Sequence, residues 1–149
     1  MYDTKLTLFL DAQASVFKRV LKELKAGRKE THWMWFVFPQ LAGLGSSMMA
    51  QRFAIDSLDE AAAYLQHPVL GPRLLECTRL VLNTRGTDIT AILGYPDGLK
   101  FRSCMTLFAQ CAPEELLSRA ALGHFFGGRE DECTLELLAT DARKHSREE

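Results

Sequence analysis

Residues 97–112 read Asp-Gly-Leu-Lys-Phe-Arg-Ser-Cys-Met-Thr-Leu-Phe-Ala-Gln-Cys-Ala, and within them Phe101, Cys104, Met105, Phe108, Cys111 and Ala112 recur at i, i+3, i+4, i+7. At 3.6 residues per turn this spacing gathers all six on one side of a helix. Asp97 stands where a cap is expected, and Pro113 stands where a helix must stop. The opposite side carries Lys100, Arg102, Ser103 and Thr106. The segment therefore reads as an amphipathic helix with one face in a core and the other in water.

The same period continues outward in both directions. Leu6, Phe9 and Leu10 suggest a short opening turn, and Val16, Phe17, Val20, Leu21 and Leu24 form a stripe ended by Gly27. Ser57 and Glu60 bracket a capping box, in which hydroxyl and carboxylate satisfy orphan amides. Pro68 breaks the helix that follows, Pro72 opens the next, and Ile89 to Leu93 makes one turn before Gly94. Past Pro113, a stripe of Leu117, Ala120, Ala121, His124 and Phe125 stops at Gly127-Gly128. Asp131 caps a last helix carrying Leu135, Leu138, Ala139 and Ala142. No strand-type alternation competes with this pattern. It predicts an all-α protein, one compact domain over residues 1–149 of seven or eight short helices, with a polar tail at 143–149 that frays.

Composition agrees with an ordinary globular domain: 149 residues, 47% apolar and 25% charged. The 18 Lys+Arg against 19 Asp+Glu leave a net charge of -1, which gives no general attraction to nucleic acid or anionic membrane. A local basic patch can still hold a small anion. The longest apolar run, Trp33 to Phe38, falls far short of the roughly 20 residues that span a bilayer. The N-terminus lacks the pattern of a signal peptide, so a cytoplasmic protein is expected. Cys77, Cys104, Cys111 and Cys133 show no C-x-x-C pair and no metal-type spacing, so reduced thiols are expected and no metal site. Nothing in the pattern calls for a cofactor or sets an oligomeric state.

One stretch departs from the amphipathic plan. Residues 32–40 read His-Trp-Met-Trp-Phe-Val-Phe-Pro-Gln and hold both tryptophans. Such a segment can cross the core, or Trp33 and Trp35 can offer a stacking surface to an aromatic ligand. His32 and Gln40 bracket it with polar groups, the mixture a binding pocket needs. Gly43-Leu-Gly45-Ser46-Ser47 follows, before a helix that carries Arg52. Glycines at that place can bring backbone amides onto an anion, or form a tight turn with Ser46 or Ser47 as cap. Lys100, Arg102 and Ser103 offer a third set of polar groups, or a plain solvated face. The chain has no Ser-His-Asp order, no H-E-x-x-H, no P-loop and no dinucleotide glycine fingerprint. Among the histidines, only His32 has surroundings that would tune a general acid or base.

The runs HWMWFVFPQLAGLG at 32–45, MAQRFAI at 49–55, LQHPVLGPRLLECT at 65–78 and LKFRSCMTLF at 99–108 resemble the bacterial family called domain of unknown function 1810. FLDAQ at 9–13 and FFGG at 125–128 belong to the same pattern. The resemblance implies an all-helical fold and no particular activity. More remotely, Phe38-Pro39, Ala50-Gln-Arg-Phe53 and Lys100-Phe101 run in the order found in a helical superfamily of ADP-ribose-linked proteins that includes N-glycosidases of the YbiA type. That pattern has an acidic residue between its proline and the following helix, and this chain has none from Gln40 to Met49. Asp97 is the candidate replacement, because glycosidic cleavage wants a carboxylate near the oxocarbenium centre.

The functional expectation is a small-molecule site for a phosphate-bearing ligand, nucleotide or ADP-ribose-like, with N-glycosidase-type activity. His32 and Asp97 would serve catalysis, while Gln40 would contact the reacting end. Trp33 and Trp35 would stack, Lys100 and Arg102 would hold phosphate, and Gly45, Ser46, Arg52 and Ser103 would complete the ligand site. The rival expectation is a non-catalytic binding or interaction module in which the aromatic run is core.

Overall fold

A computed structural model describes the backbone of residues 3–148 and the side chains of residues 4–141, and these residues form ten helices. In chain order they are α1 Asp3–Ala14, α2 Phe17–Lys25, α3 Met34–Val37, α4 Met48–Arg52, α5 Leu58–Gln66, α6 Leu70–Asn83, α7 Ile89–Leu93, α8 Asp97–Cys111, α9 Leu116–Phe126 and α10 Glu132–Glu148. Capping side chains open α4, α5, α7 and α9, and glycines close α7 and α9. The class is all-α and the domain is single and compact. Ten helices, rather than seven or eight, are found, among them the single turn α3 wound by the aromatic run and the five-residue α4. The opening turn is in fact the 12-residue α1. The expected frayed tail, 143–149, falls outside the residues whose side chains are described. No helix among the described residues is long and apolar enough to cross a membrane.

The capping chemistry is local and mostly where the sequence places it. Ser57 Oγ accepts from Glu60 N at 3.1 Å, and Asp131 Oδ2 accepts from Thr134 N at 2.9 Å. The other half of the capping box is displaced by one residue, with Glu60 Oε1 accepting from Asp56 N at 3.2 Å. Glu60 also pairs with Lys5 at 2.9 Å. Burial works against the charge on Lys5, but Asp56 and Glu60 together outweigh it and raise its pKa. Asp97 is not the cap of α8: Pro96 holds that position, and Asp97 is the first helical residue.

α8 is the axis of the fold, packed by α5, α7, α9 and α10. Phe101, Cys104, Met105 and Phe108 are buried as their spacing requires. The supposed water-facing side is also largely covered: Ser103 is 6% exposed and Thr106 is fully buried. Their hydroxyls donate back to the carbonyls of Leu99 and Arg102, at 3.2 and 2.8 Å, so neither is left unpaired. Phe38 crosses from the aromatic run to stand edge-on against Phe101, with ring centroids 5.0 Å apart. Each such ring contributes roughly 1.5–3 kcal/mol on burial. The α5–α6 corner is equally tight: a Cβ added at Gly71 would lie 2.0 Å from the Leu65 carbonyl oxygen.

Candidate functional site

Three separate stretches of chain converge on one cleft of about 440 Å³. The first is the turn after the aromatic run. It is held by a bridge between Leu41 and Ile55, with Ile55 N donating to Gln40 O at 2.9 Å and Ala42 N to Ile55 O at 2.7 Å. Gly43 takes φ +98°, a left-handed conformation that favours glycine. A Cβ at Gly45 would meet Ala50 Cβ at 2.5 Å, so the turn lies directly on α4. The second stretch is the start of α8, and the third is the start of α10.

Gln40, Gly45, Ser46, Lys100 and Ser103 all line this cleft. Among the described residues the Gln40 carboxamide and the Ser46 hydroxyl have no hydrogen-bond partner, and both remain available to a ligand. Ser47 caps α4, its Oγ accepting from Ala50 N at 3.1 Å. The glycines therefore form a capped turn, which supplies shape and a free hydroxyl rather than a ring of amides. Lys100 Nζ lies 3.8 Å from Asp97 Oδ1 and 5.5 Å from the centre of the Trp35 ring. A cation thus occupies a face of Trp35 that stacking would need.

The remaining sequence candidates lie elsewhere, each for a definite reason. Trp33 is 1% exposed, and its Nε1 donates to Glu23 Oε1 at 3.0 Å, so it is core and cannot stack on a ligand. His32 is exposed and does not line the cleft. Asp97 is drawn away by Lys29, whose Nζ lies 2.8 Å from Oδ2. Arg102 donates to the carbonyls of Arg129 and Glu130, at 2.9 and 3.1 Å, and its guanidinium covers Phe126. It therefore positions the α9–α10 loop instead of holding phosphate. Arg52 lies over Phe53 on the exposed side of α4.

Asp131 and Cys133 were missed as site residues, yet both line the cleft. Asp131 was visible only as a cap, since a cap is a local signal and a cleft wall is not. Its Oδ2 is taken by Thr134, at 2.9 Å to N and 2.6 Å to Oγ1, and its amide donates to Thr106 Oγ1 at 2.8 Å. Oδ1 has no hydrogen-bond partner among the described residues. The amides of Glu132 and Cys133 are likewise open, as the first turn of a helix leaves them. Leu44, Pro96 and Leu99 supply the apolar wall.

The family model described as protein of unknown function (DUF1810) matches residues 3–138. The chain belongs to this family. No curated protein matches it. Among solved structures, this DUF1810 protein is similar to the conserved hypothetical protein Rv1873 from Mycobacterium tuberculosis. The identity is 55% and the TM-score 0.88, over 90% of this chain and 96% of that one. Every residue lining the cleft, from Gln40 to Cys133, lies inside the DUF1810 match.

Proposed function

We propose that this DUF1810 protein binds a small phosphate-bearing ligand, nucleotide or ADP-ribose-like, in the cleft between the Gln40–Ser47 turn and the starts of α8 and α10. The observation that carries the reading is the union, in one concavity, of Lys100, two uncommitted polar side chains and an apolar wall. Phosphate would sit by Lys100 and the open amides of Glu132 and Cys133, where the start of the 17-residue α10 adds its dipole. The flat part of the ligand would lie on Leu44, Pro96 and Leu99, with Gln40 reading its polar edge. The Lys29–Asp97 pair supports this arrangement, because Asp97 is neutralised mainly by Lys29 and leaves Lys100 able to meet an anion.

Binding without catalysis is the better supported form of the proposal. His32 is outside the cleft and Asp97 is locked to Lys29, which removes both acid–base groups the sequence offered. N-glycosidic cleavage would rest instead on Asp131, whose free Oδ1 would stabilise the oxocarbenium centre while water bonds to C1′ and the base departs.

Thermal-shift titration with ADP-ribose, NAD and AMP tests the proposal. A ligand at 100 times its dissociation constant should add about 2.7 kcal/mol of stability. Lys100→Ala should weaken that ligand by about 1.5–3 kcal/mol, the worth of a charged hydrogen bond, and leave the helical signal unchanged. No stabilisation by any of the three at millimolar concentration, or full binding by Lys100→Ala, would count against the site. Release of free base that stops in Asp131→Asn would restore the glycosidase reading.

A further inference from the structure

α2 carries Lys18, Arg19, Lys22 and Lys25 within nine residues, and Arg28 and Lys29 follow at once. Its one acid, Glu23, is largely buried and accepts four hydrogen bonds from Glu30, Thr31 and Trp33, and it forms no ion pair with these cations. The helix therefore presents like charges three and four residues apart with no acid paired to them, an arrangement that destabilises a helix. Two grooves flank its C-terminal end and share Ala26 as a wall. One, of about 540 Å³, is lined by Arg19, Lys22 and Arg28 together with Glu23 and Glu30; the other, of about 430 Å³, is lined by Lys25 and by Arg85, two residues past the end of α6. None of these five cations has an ion-pair or hydrogen-bond partner among the described residues. The chain as a whole has a net charge of -1, so this concentration is a local feature of the α2–α6 face.

We propose that the α2–α6 face is a second binding site, which takes the phosphate backbone of a nucleic-acid duplex without reading its sequence. Arg19 to Lys25 cover about 9 Å of helix axis at 1.5 Å per residue. Three of the groove cations, Arg19, Lys22 and Lys25, fall in that span, and one strand of a duplex presents a phosphate per roughly 3.4 Å, or about three over the same length. Five cations line the paired grooves. Three of them are arginines, whose planar fork suits a phosphate. A single strand is disfavoured, because such sites stack bases on exposed aromatic rings. The aromatic ring of α2, Phe17, lies under the Arg73 guanidinium at 4.6 Å. An anionic membrane is disfavoured too, because Val20 and Leu24 are buried in the core and leave α2 no apolar face to insert.

The test is fluorescence anisotropy of the full chain with labelled 20-base-pair DNA and RNA duplexes. Five phosphate contacts predict a slope of about -4.5 in log K against log salt, or about a five-hundred-fold loss between about 50 and 200 mM salt. The double variant Lys22→Glu/Arg28→Glu should flatten the slope to about -2.7. Arg129→Glu, which changes an exposed arginine lining neither groove, should leave the slope unchanged. Unchanged circular dichroism in all variants separates lost contacts from lost folding. Binding to both duplexes supports a shared phosphate site, and binding to one alone narrows the partner to that helix form. The proposal is overturned by no binding at 50 mM salt, by a slope the double variant does not alter, or by tighter binding to vesicles with 30% anionic lipid or to polyglutamate.

Discussion

Protonating Glu23 should loosen the loop that leads into the aromatic run. Its carboxylate is 7% exposed and accepts from Glu30 N at 2.7 Å, Thr31 N at 3.0 Å, Thr31 Oγ1 at 2.6 Å and Trp33 Nε1 at 3.0 Å. Burial alone would raise its pKa, but the hydrogen bonds from Thr31, Glu30 and Trp33 overcome that and hold it at about 2. An unfolded glutamate titrates near 4.3, so between about 2 and 4.3 the unfolded chain binds more protons and stability rises with pH. The contribution is complete above about pH 5 and is lost as pH falls through the folded value. A displacement of a little over two pH units, at 1.36 kcal/mol each, is worth about 3 kcal/mol. Glu23→Gln keeps one acceptor and the side-chain volume but loses the charge. Urea unfolding of the two proteins should differ by about 2–3 kcal/mol at pH 7 and converge toward pH 2. Tryptophan fluorescence in a Trp35→Phe background offers a local probe of the Trp33–Glu23 bond. A difference that stays constant from pH 7 to pH 2.5 would refute the ionic account and leave only packing.

Gly71→Ala should lower stability by about 3 kcal/mol or more, because its Cβ would overlap the Leu65 carbonyl and force α5 from α6; a melting point within 2 °C of the parent would contradict this. The four cysteines should react unequally with an aromatic disulfide reagent at pH 8. Burial pushes the Cys77 thiol up to about 12, and also raises Cys104, while Cys133 is exposed. Cys111 is raised to about 11 by burial and by the nearby Glu114 charge. One fast thiol, assigned to Cys133 by peptide mapping, is the expected result, and prompt labelling of Cys77 or Cys104 would contradict the packing of α6 and α8.

Much of the fold was legible because helical periodicity and capping are local codes. Phe101, Cys104, Met105 and Phe108 fall on one side of α8 by spacing alone, and Ser57 and Asp131 announce helix starts through their own short side chains. Part of the candidate cleft was legible for a similar reason. Gln40, Gly45, Ser46, Lys100 and Ser103 stand out as polar or glycine positions beside apolar runs, and all five line the concavity. What the sequence could not show is which polar groups find partners far along the chain. Trp33 is committed to Glu23, Asp97 to Lys29 across 68 positions, and Arg102 to carbonyls 27 and 28 residues away. The last two pairings exist only once α8 is surrounded, and the three together decide that Trp33, Asp97 and Arg102 hold the structure while Asp131 faces the cleft. A helix period reports which side of a segment is apolar; only packing decides whether its polar side meets water, a neighbour or an open cleft.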